Sequence, residues 1–164
     1  MTLLQICEWL ESTKLAELVT QSTYGFPILV AIHLMGLGLS VGTVIWFDLR
    51  LLGKVLTTMP VSLVYRRLAP WMLAGFTVMF LSGATIFVGY AMAAYSNPYF
   101  RLKLAMIVLA GVNAAVFHFS TQKHLAGWDA WTHPPAAARL AGVISIASWM
   151  VVVLAGRMMS YTMF

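Results

Sequence analysis

One stretch, Tyr24 to Gly53 (YGFPILVAIHLMGLGLSVGTVIWFDLRLLG), limits what this chain can fold into. It is apolar without interruption up to a closing Asp48-Leu49-Arg50, and His33 is the one ionisable side chain inside it. Ile28 to Phe47 is about twenty residues, and at roughly 1.5 Å of rise each such a helix crosses a hydrocarbon core of roughly 30 Å. Pro27 suits a first helical turn, where its missing N–H costs nothing. Trp46 stands at the depth of an interfacial aromatic belt.

Residues three, four and seven apart share a helix face, so His33 looks out over Gly36, Leu37 and Ser40. That small-residue face has two readings. Together with Gly38-x-x-x-Gly42 it is what close helix packing in a membrane uses. Small residues beside a histidine also leave room for a flat macrocycle whose iron takes the imidazole nitrogen. A buried imidazole in lipid is costly enough to mark His33 as a functional candidate, against the plainer role of a hydrogen bond to a neighbouring helix.

Composition agrees with a membrane setting. The 164 residues are 61% hydrophobic and 9% charged, with mean hydropathy +0.86, which excludes an ordinary soluble domain. Cys7 is the one cysteine, so no internal disulfide framework exists. The net charge of +5 comes without a basic stripe interleaved with aromatics, and no nucleic-acid partner is expected. Instead the basic residues stand between the apolar spans, as membrane topology requires.

The pattern predicts an all-α fold, an integral membrane four-helix bundle forming a single domain over 1–164. Residues 1–23 mix Glu8, Glu11, Lys14 and Glu17 with leucines and read as one amphipathic helix on the membrane surface, with Trp9 as its anchor. The spans are expected at about 26–48, 71–92, 103–120 and 140–159. Pro60 and Pro70 punctuate the first connection, which should hold a short interfacial helix, and Tyr95-Ser-Asn-Pro98 reads as a turn. Gln122 to Pro135 is a polar loop with His124, Trp128, Asp129 and His133. The first and third connections carry Arg50, Lys54, Arg66, Arg67, Lys123 and Arg139, against Lys14, Arg101, Lys103 and Arg157 on the other side. The excess places both termini outside the cytoplasm.

His118 repeats the theme of His33 on the third span, with Gly111, Ala114 and Ala115 on its face. Cofactor sites in bundles are built from facing helices in this manner. Imidazole suits haem iron, zinc or copper. The spans offer no cysteine or carboxylate cluster to complete a zinc site, whereas a porphyrin supplies four nitrogens of its own. Counted along parallel helices, His33 and His118 differ in depth by roughly 13 Å, which suits two haems, or one haem with another axial partner, better than one iron between them. Met150 on the fourth span is the thioether candidate at the level of His33; Met72 and His124 are the candidates for His118. Arg101, Lys103 and Arg157 at one end, and Arg50, Arg66, Arg67 and Arg139 at the other, suit propionates or, equally, lipid headgroups. Asn113 in mid-span is expected to bond to another helix. No serine or cysteine nucleophile beside a base, phosphate-binding glycine loop or carboxylate pair is visible.

The segments HLMGLGLSVGTVIWFDLRLLG, RRLAPW, RLKLAMIVLAGVNAAVFH and AGRMMSY resemble, over nearly the whole chain, an uncharacterised family of short four-span bacterial inner-membrane proteins. More distantly, His33 with the Asp48-Leu49-Arg50 exit, Arg66-Arg67-Leu68, Lys103 and His118 are similar to the HemJ-type protoporphyrinogen oxidases. The histidine-glycine first span also resembles CopD-type copper-handling domains. The HemJ-type resemblance implies haem b and porphyrin oxidase function, and the first resemblance implies the bacterial inner membrane; the expected role is electron transfer or membrane redox chemistry linked to a quinone or a porphyrin. Taken with the residue reading above, His33 and His118 are the expected metal ligands, with Met150, Gly36, Ser40, Arg50, Lys103 and Arg157 around the cofactor. A redox protein partner, a homo-oligomer or a larger membrane complex is compatible with it. The alternatives are a cofactor-free accessory subunit, whose histidines are bundle hydrogen bonds, and a copper transport domain.

Overall fold

The computed structural model describes residues 2–121, 127 and 134–163, and within them every regular element is helical. In chain order these are α1 (Leu3–Glu11), α2 (Lys14–Gln21), α3 (Gly25–Leu51), α4 (Val61–Gly89), α5 (Ala91–Ser96), α6 (Pro98–Val116) and α7 (Ala136–Thr162), with a π-helical turn over Phe117–Thr121 after α6. Helices α3, α4, α6 and α7 are long and apolar enough to cross a membrane. The expected all-helical membrane bundle is therefore present, and the protein is a multi-pass membrane protein. His124, His133, Trp128, Asp129 and Lys123 lie outside the described residues.

The element boundaries correct the sequence reading in three places. The lead-in is two helices, because Thr2 and Thr13 each cap a separate start by accepting backbone N–H groups, from Gln5 and Ala16. Neither helix simply floats on lipid. Together they pack on α3, α4 and α5 through the buried Cys7, Ala16 and Val19, leaving Leu3, Trp9 and Leu18 exposed. Glu11 Oε1 also accepts the Met92 N–H at 2.8 Å.

The second correction concerns Pro70, which does not end a loop: α4 runs through it as one helix from Val61. A proline there forfeits the bond to the carbonyl four residues back, but in lipid the remaining amides have no partner except their own helix. The expected short interfacial helix is thus the first turns of α4. Third, α3 runs past its expected end at about 48 to Leu51. Asp48 and Arg50 are inside the helix and buried, at 5% and 1% exposure.

The four spans are arranged as two pairs. Helix α3 packs along α4, α6 packs along α7, and α3 against α7 joins the pairs. Among the described residues, α6 does not lie backbone to backbone against α3 or α4; aromatic side chains span that gap instead. Phe87 stacks on Phe100 at a centroid distance of 5.4 Å and Phe47 meets Phe117 edge-on at 5.9 Å, while Phe76 of α4 meets Trp149 of α7 at 5.3 Å. Two apolar cores result. One, at the end of the α3–α4 loop, contains Phe47, Leu51, Val61, Val64, Phe117 and Ala138. The other, at mid-bundle, contains Val41, Met79, Ala110, Trp149 and Val152.

The α3–α4 pair is held by small residues in a single antiparallel register. A Cβ on Gly36 would stand 2.8 Å from the Met79 nitrogen, and one on Gly75 would stand 2.5 Å from the Ser40 nitrogen. Only absent side chains allow backbones this close. Gly38 and Gly42, by contrast, have nothing within 4 Å. The packing face of α3 is Gly36–Ser40, and the Gly38-x-x-x-Gly42 face points away from the bundle.

Candidate functional site

His33 lies on the same α3–α4 register, one turn before Gly36. Its Nδ1 is 3.0 Å from Ser82 Oγ, and Ser82 in turn donates to the Val78 carbonyl at 2.6 Å. A hydroxyl has one proton to give. With that proton committed to Val78, Ser82 accepts from His33, which assigns the Nδ1–H tautomer and leaves Nε2 as the basic nitrogen. Fixing a histidine through its other nitrogen is how proteins prepare an imidazole for a metal. Gly83 makes room for the ring: a Cβ there would stand 2.9 Å from His33 Cε1.

Lys103 comes to the same region from the other helix pair. It is half-buried on α6, and its stem runs past α7, where a Cβ on Gly156 would meet Nζ at 3.8 Å and Cδ at 3.9 Å. It lies near enough to His33 for its charge to act on the imidazole, so the two ionisable groups share one region of the bundle. No described residue forms a hydrogen bond or ion pair with this ammonium. Such a cation inside a span is costly unless something anionic completes it.

The other residues singled out in the sequence do not join this pair. His118 is exposed on the π-helical turn, its ring against Phe119, and Gly111 on its face has no neighbour within 4 Å. The face that the sequence suggested for a second site therefore turns outward, and the inward face of α6 is Lys103, Ala110, Asn113 and Phe117. Met150 is 54% exposed and is no partner for His33; the heptad face that carries it looks out of the bundle. Met72 packs into the loop-end core. Arg157 is exposed and donates to the Tyr161 hydroxyl at 2.8 Å, with its guanidinium 4.6 Å from that ring. Arg50 is committed to the α3–α4 loop, donating Nε and Nη2 to the Met59 carbonyl at 3.1 and 2.8 Å. Asn113 donates to the Ala141 carbonyl at 2.9 Å, tying α6 to α7 as expected of an intramembrane amide.

The donor chemistry fits a haem in part. One imidazole, oriented through Nδ1–H, fits an axial ligand, and the half-buried Lys103 ammonium in the same region fits a propionate. The Gly36–Ser40 face does not fit the macrocycle, because the α4 backbone at Gly75 and Met79 fills it. A copper site of several protein ligands has no candidate, since no three His, Cys, Asp or Glu side chains converge among the described residues.

Sequence reasoning missed Ser82, Gly75, Gly83 and Gly156. The signal was available on α4, where Gly75, Ser82 and Gly83 are spaced seven and eight residues apart and so share a face.

The fold and this paired site define a four-span helical membrane protein with an intramembrane histidine and lysine. The chain belongs to a family of unknown function, DUF6644, whose model matches residues 6–162. No curated protein and no solved structure matches it, so the likenesses to HemJ-type and CopD-type proteins gain no support from a matched relative.

Proposed function

We propose that this protein is a b-type haem protein of the bacterial inner membrane, with both termini outside the cytoplasm, and that it serves electron transfer or membrane redox chemistry linked to a quinone or a porphyrin. The observation that carries the reading is the intramembrane His33, oriented through Ser82, with the Lys103 ammonium of the other helix pair close enough for its charge to act on it. His33 Nε2 would hold the iron, and Lys103 would take a carboxylate of the porphyrin edge. The haem would supply one-electron chemistry.

The chain's own residues have definable tasks in this reading. Ser82 keeps the imidazole proton on Nδ1, so the ligating nitrogen stays unprotonated. Gly83 and Gly156 leave the space that side chains would otherwise occupy beside His33 and Lys103. The aromatic bridge of Phe76, Trp149, Phe87 and Phe100 excludes water from the gap. With His118 turned outward and Met150 exposed, the reading narrows to one haem with a single protein ligand among the described residues.

A second reading, a cofactor-free accessory subunit, is favoured by the Gly36–Gly75 contact, where the small residues are packing and nothing else. The two part on the purified protein. A haem content near one per chain that falls in His33→Ala but not in His118→Ala supports the first; a protein that neither contains nor takes up haem supports the second.

A further inference from the structure

At the opposite end of α3 from His33, the joint between the helix pairs contains a carboxyl group that the proposed redox site does not use. Asp48 is 5% exposed. Helix α7 meets it closely, since a Cβ on Gly142 would stand 3.2 Å from the Asp48 carbonyl oxygen and 3.7 Å from its Cα. One turn along α7, Ser145 gives Asp48 a side-chain hydrogen bond. Oδ2 is fully buried and has no hydrogen-bond partner among the described residues.

Among the described residues no cation bonds to that oxygen. Phe47 and Leu51 flank it on α3, within the apolar core that also contains Val61, Val64, Phe117 and Ala138. The charged groups of the elements packed around it are directed elsewhere. Arg50 on its own helix binds the Met59 carbonyl. Arg66 and Arg67 on α4, Arg139 on α7 and His118 after α6 are exposed, and the Tyr65 ring on α4 meets Phe47 at a tilt. A buried ionised carboxylate with an unbonded oxygen is strongly disfavoured in such a place, and a bound proton removes that cost.

We infer that Asp48 is a proton-binding site within the membrane, a carboxyl group that is protonated in the resting protein and exchanges its proton from the α3–α4 loop end of the bundle. Its position at the α3–α7 contact makes the proton part of what holds the two pairs together. The site does not depend on haem and is tested without it.

Infrared spectroscopy of the purified protein in lipid reads the group directly, because a protonated carboxyl has a carbonyl stretch separate from that of carboxylates and amides. The chain has two aspartates, Asp48 and Asp129, so assignment is short. At neutral pH the protein should show this band, and it should move on transfer to D2O and on labelling with ¹³C-aspartate. The band should persist in Asp129→Asn and vanish in Asp48→Asn. Should Asp48→Asn fail to fold, the ¹³C-aspartate shift in Asp129→Asn assigns the band to Asp48 alone. Absence of a protonated carboxyl band at neutral pH, a band unmoved by ¹³C-aspartate, or one that fails to exchange with deuterium overturns the proposal.

Discussion

Gly75→Ala is the sharpest perturbation of the architecture that positions His33. The added Cβ would stand 2.5 Å from the Ser40 nitrogen and 2.9 Å from both Ser40 Cα and Cβ, where 3.4–4 Å is ordinary contact. Two of these three neighbours are backbone, which cannot rotate away, so the helices must separate by about 1 Å. A gap of that size forfeits roughly a quarter to a half of each dispersion contact along the seam, and overpacking of this kind costs about 1–3 kcal/mol. At roughly 2–4 °C per kcal/mol for a chain of this size, the thermal midpoint in detergent should fall by about 2–12 °C. Two turns away on the same face, the His33–Ser82 distance of 3.0 Å would stretch beyond hydrogen-bond length. The control is Gly38→Ala, where nothing lies within 4 Å and the better helix propensity of alanine leaves stability equal or slightly higher. Thermal unfolding followed by circular dichroism compares the two. Equal midpoints for Gly75→Ala and the unaltered protein, or a larger loss in Gly38→Ala, would refute the assignment of the α3–α4 seam.

Further substitutions probe other parts of the account. Ser82→Ala removes the acceptor for His33 Nδ1–H and should weaken haem retention roughly 10- to 100-fold, measured by haem transfer to an apo-globin; unchanged retention would separate Ser82 from the site. Lys103→Met should slow or reduce haem loading while leaving helicity intact, and a fully loaded variant would remove the lysine from the cofactor. Arg50→Leu leaves the Met59 carbonyl without its charged donor and should cost about 1.5–3 kcal/mol in thermal stability, whereas Lys54→Ala, on an exposed side chain, should cost almost nothing. Asn97→Ala removes the side-chain acceptor for the Tyr99 and Phe100 N–H groups and the 2.8 Å bond to Thr162. A loss of about 1 kcal/mol is expected, and Asn97→Asp should restore part of it by keeping the cap acceptor.

The spans were legible in the sequence because length and hydropathy are one-dimensional properties. A run from Ile28 to Phe47 without charge has few folded forms in lipid. Asn113 was legible for a similar reason, since an intramembrane amide has a narrow set of uses; Tyr95-Ser-Asn-Pro98 read only as a turn, whereas α6 already starts at Pro98, ahead of the span expected from about 103. What the sequence did not carry was direction about the bundle axis. Gly36, Gly38 and Gly42 look alike along the chain, yet α4 covers the first and leaves the other two open. His118 satisfies the same small-residue pattern as His33, but the π-helical turn over Phe117–Thr121 carries it on the outer surface while Phe117 takes the core position. Asp48 and Arg50 read as a charged exit because charges commonly mark a span's end. Burying them required a loop carbonyl at Met59 and a serine on α7, both distant in the chain. The meeting of Lys103 with His33 likewise depends on how two helix pairs face each other, which no periodicity within one helix contains.

The central claim is that His33 binds a b-type haem, and the most direct measurement is the reduced-minus-oxidised visible spectrum of the detergent-purified protein, with a pyridine haemochrome assay for stoichiometry, repeated on His33→Ala. The account predicts sharp b-type bands at about one haem per chain, lost or strongly shifted in the variant. A protein that stays colourless and takes up no added haem, or one whose spectrum is the same in His33→Ala, would contradict it.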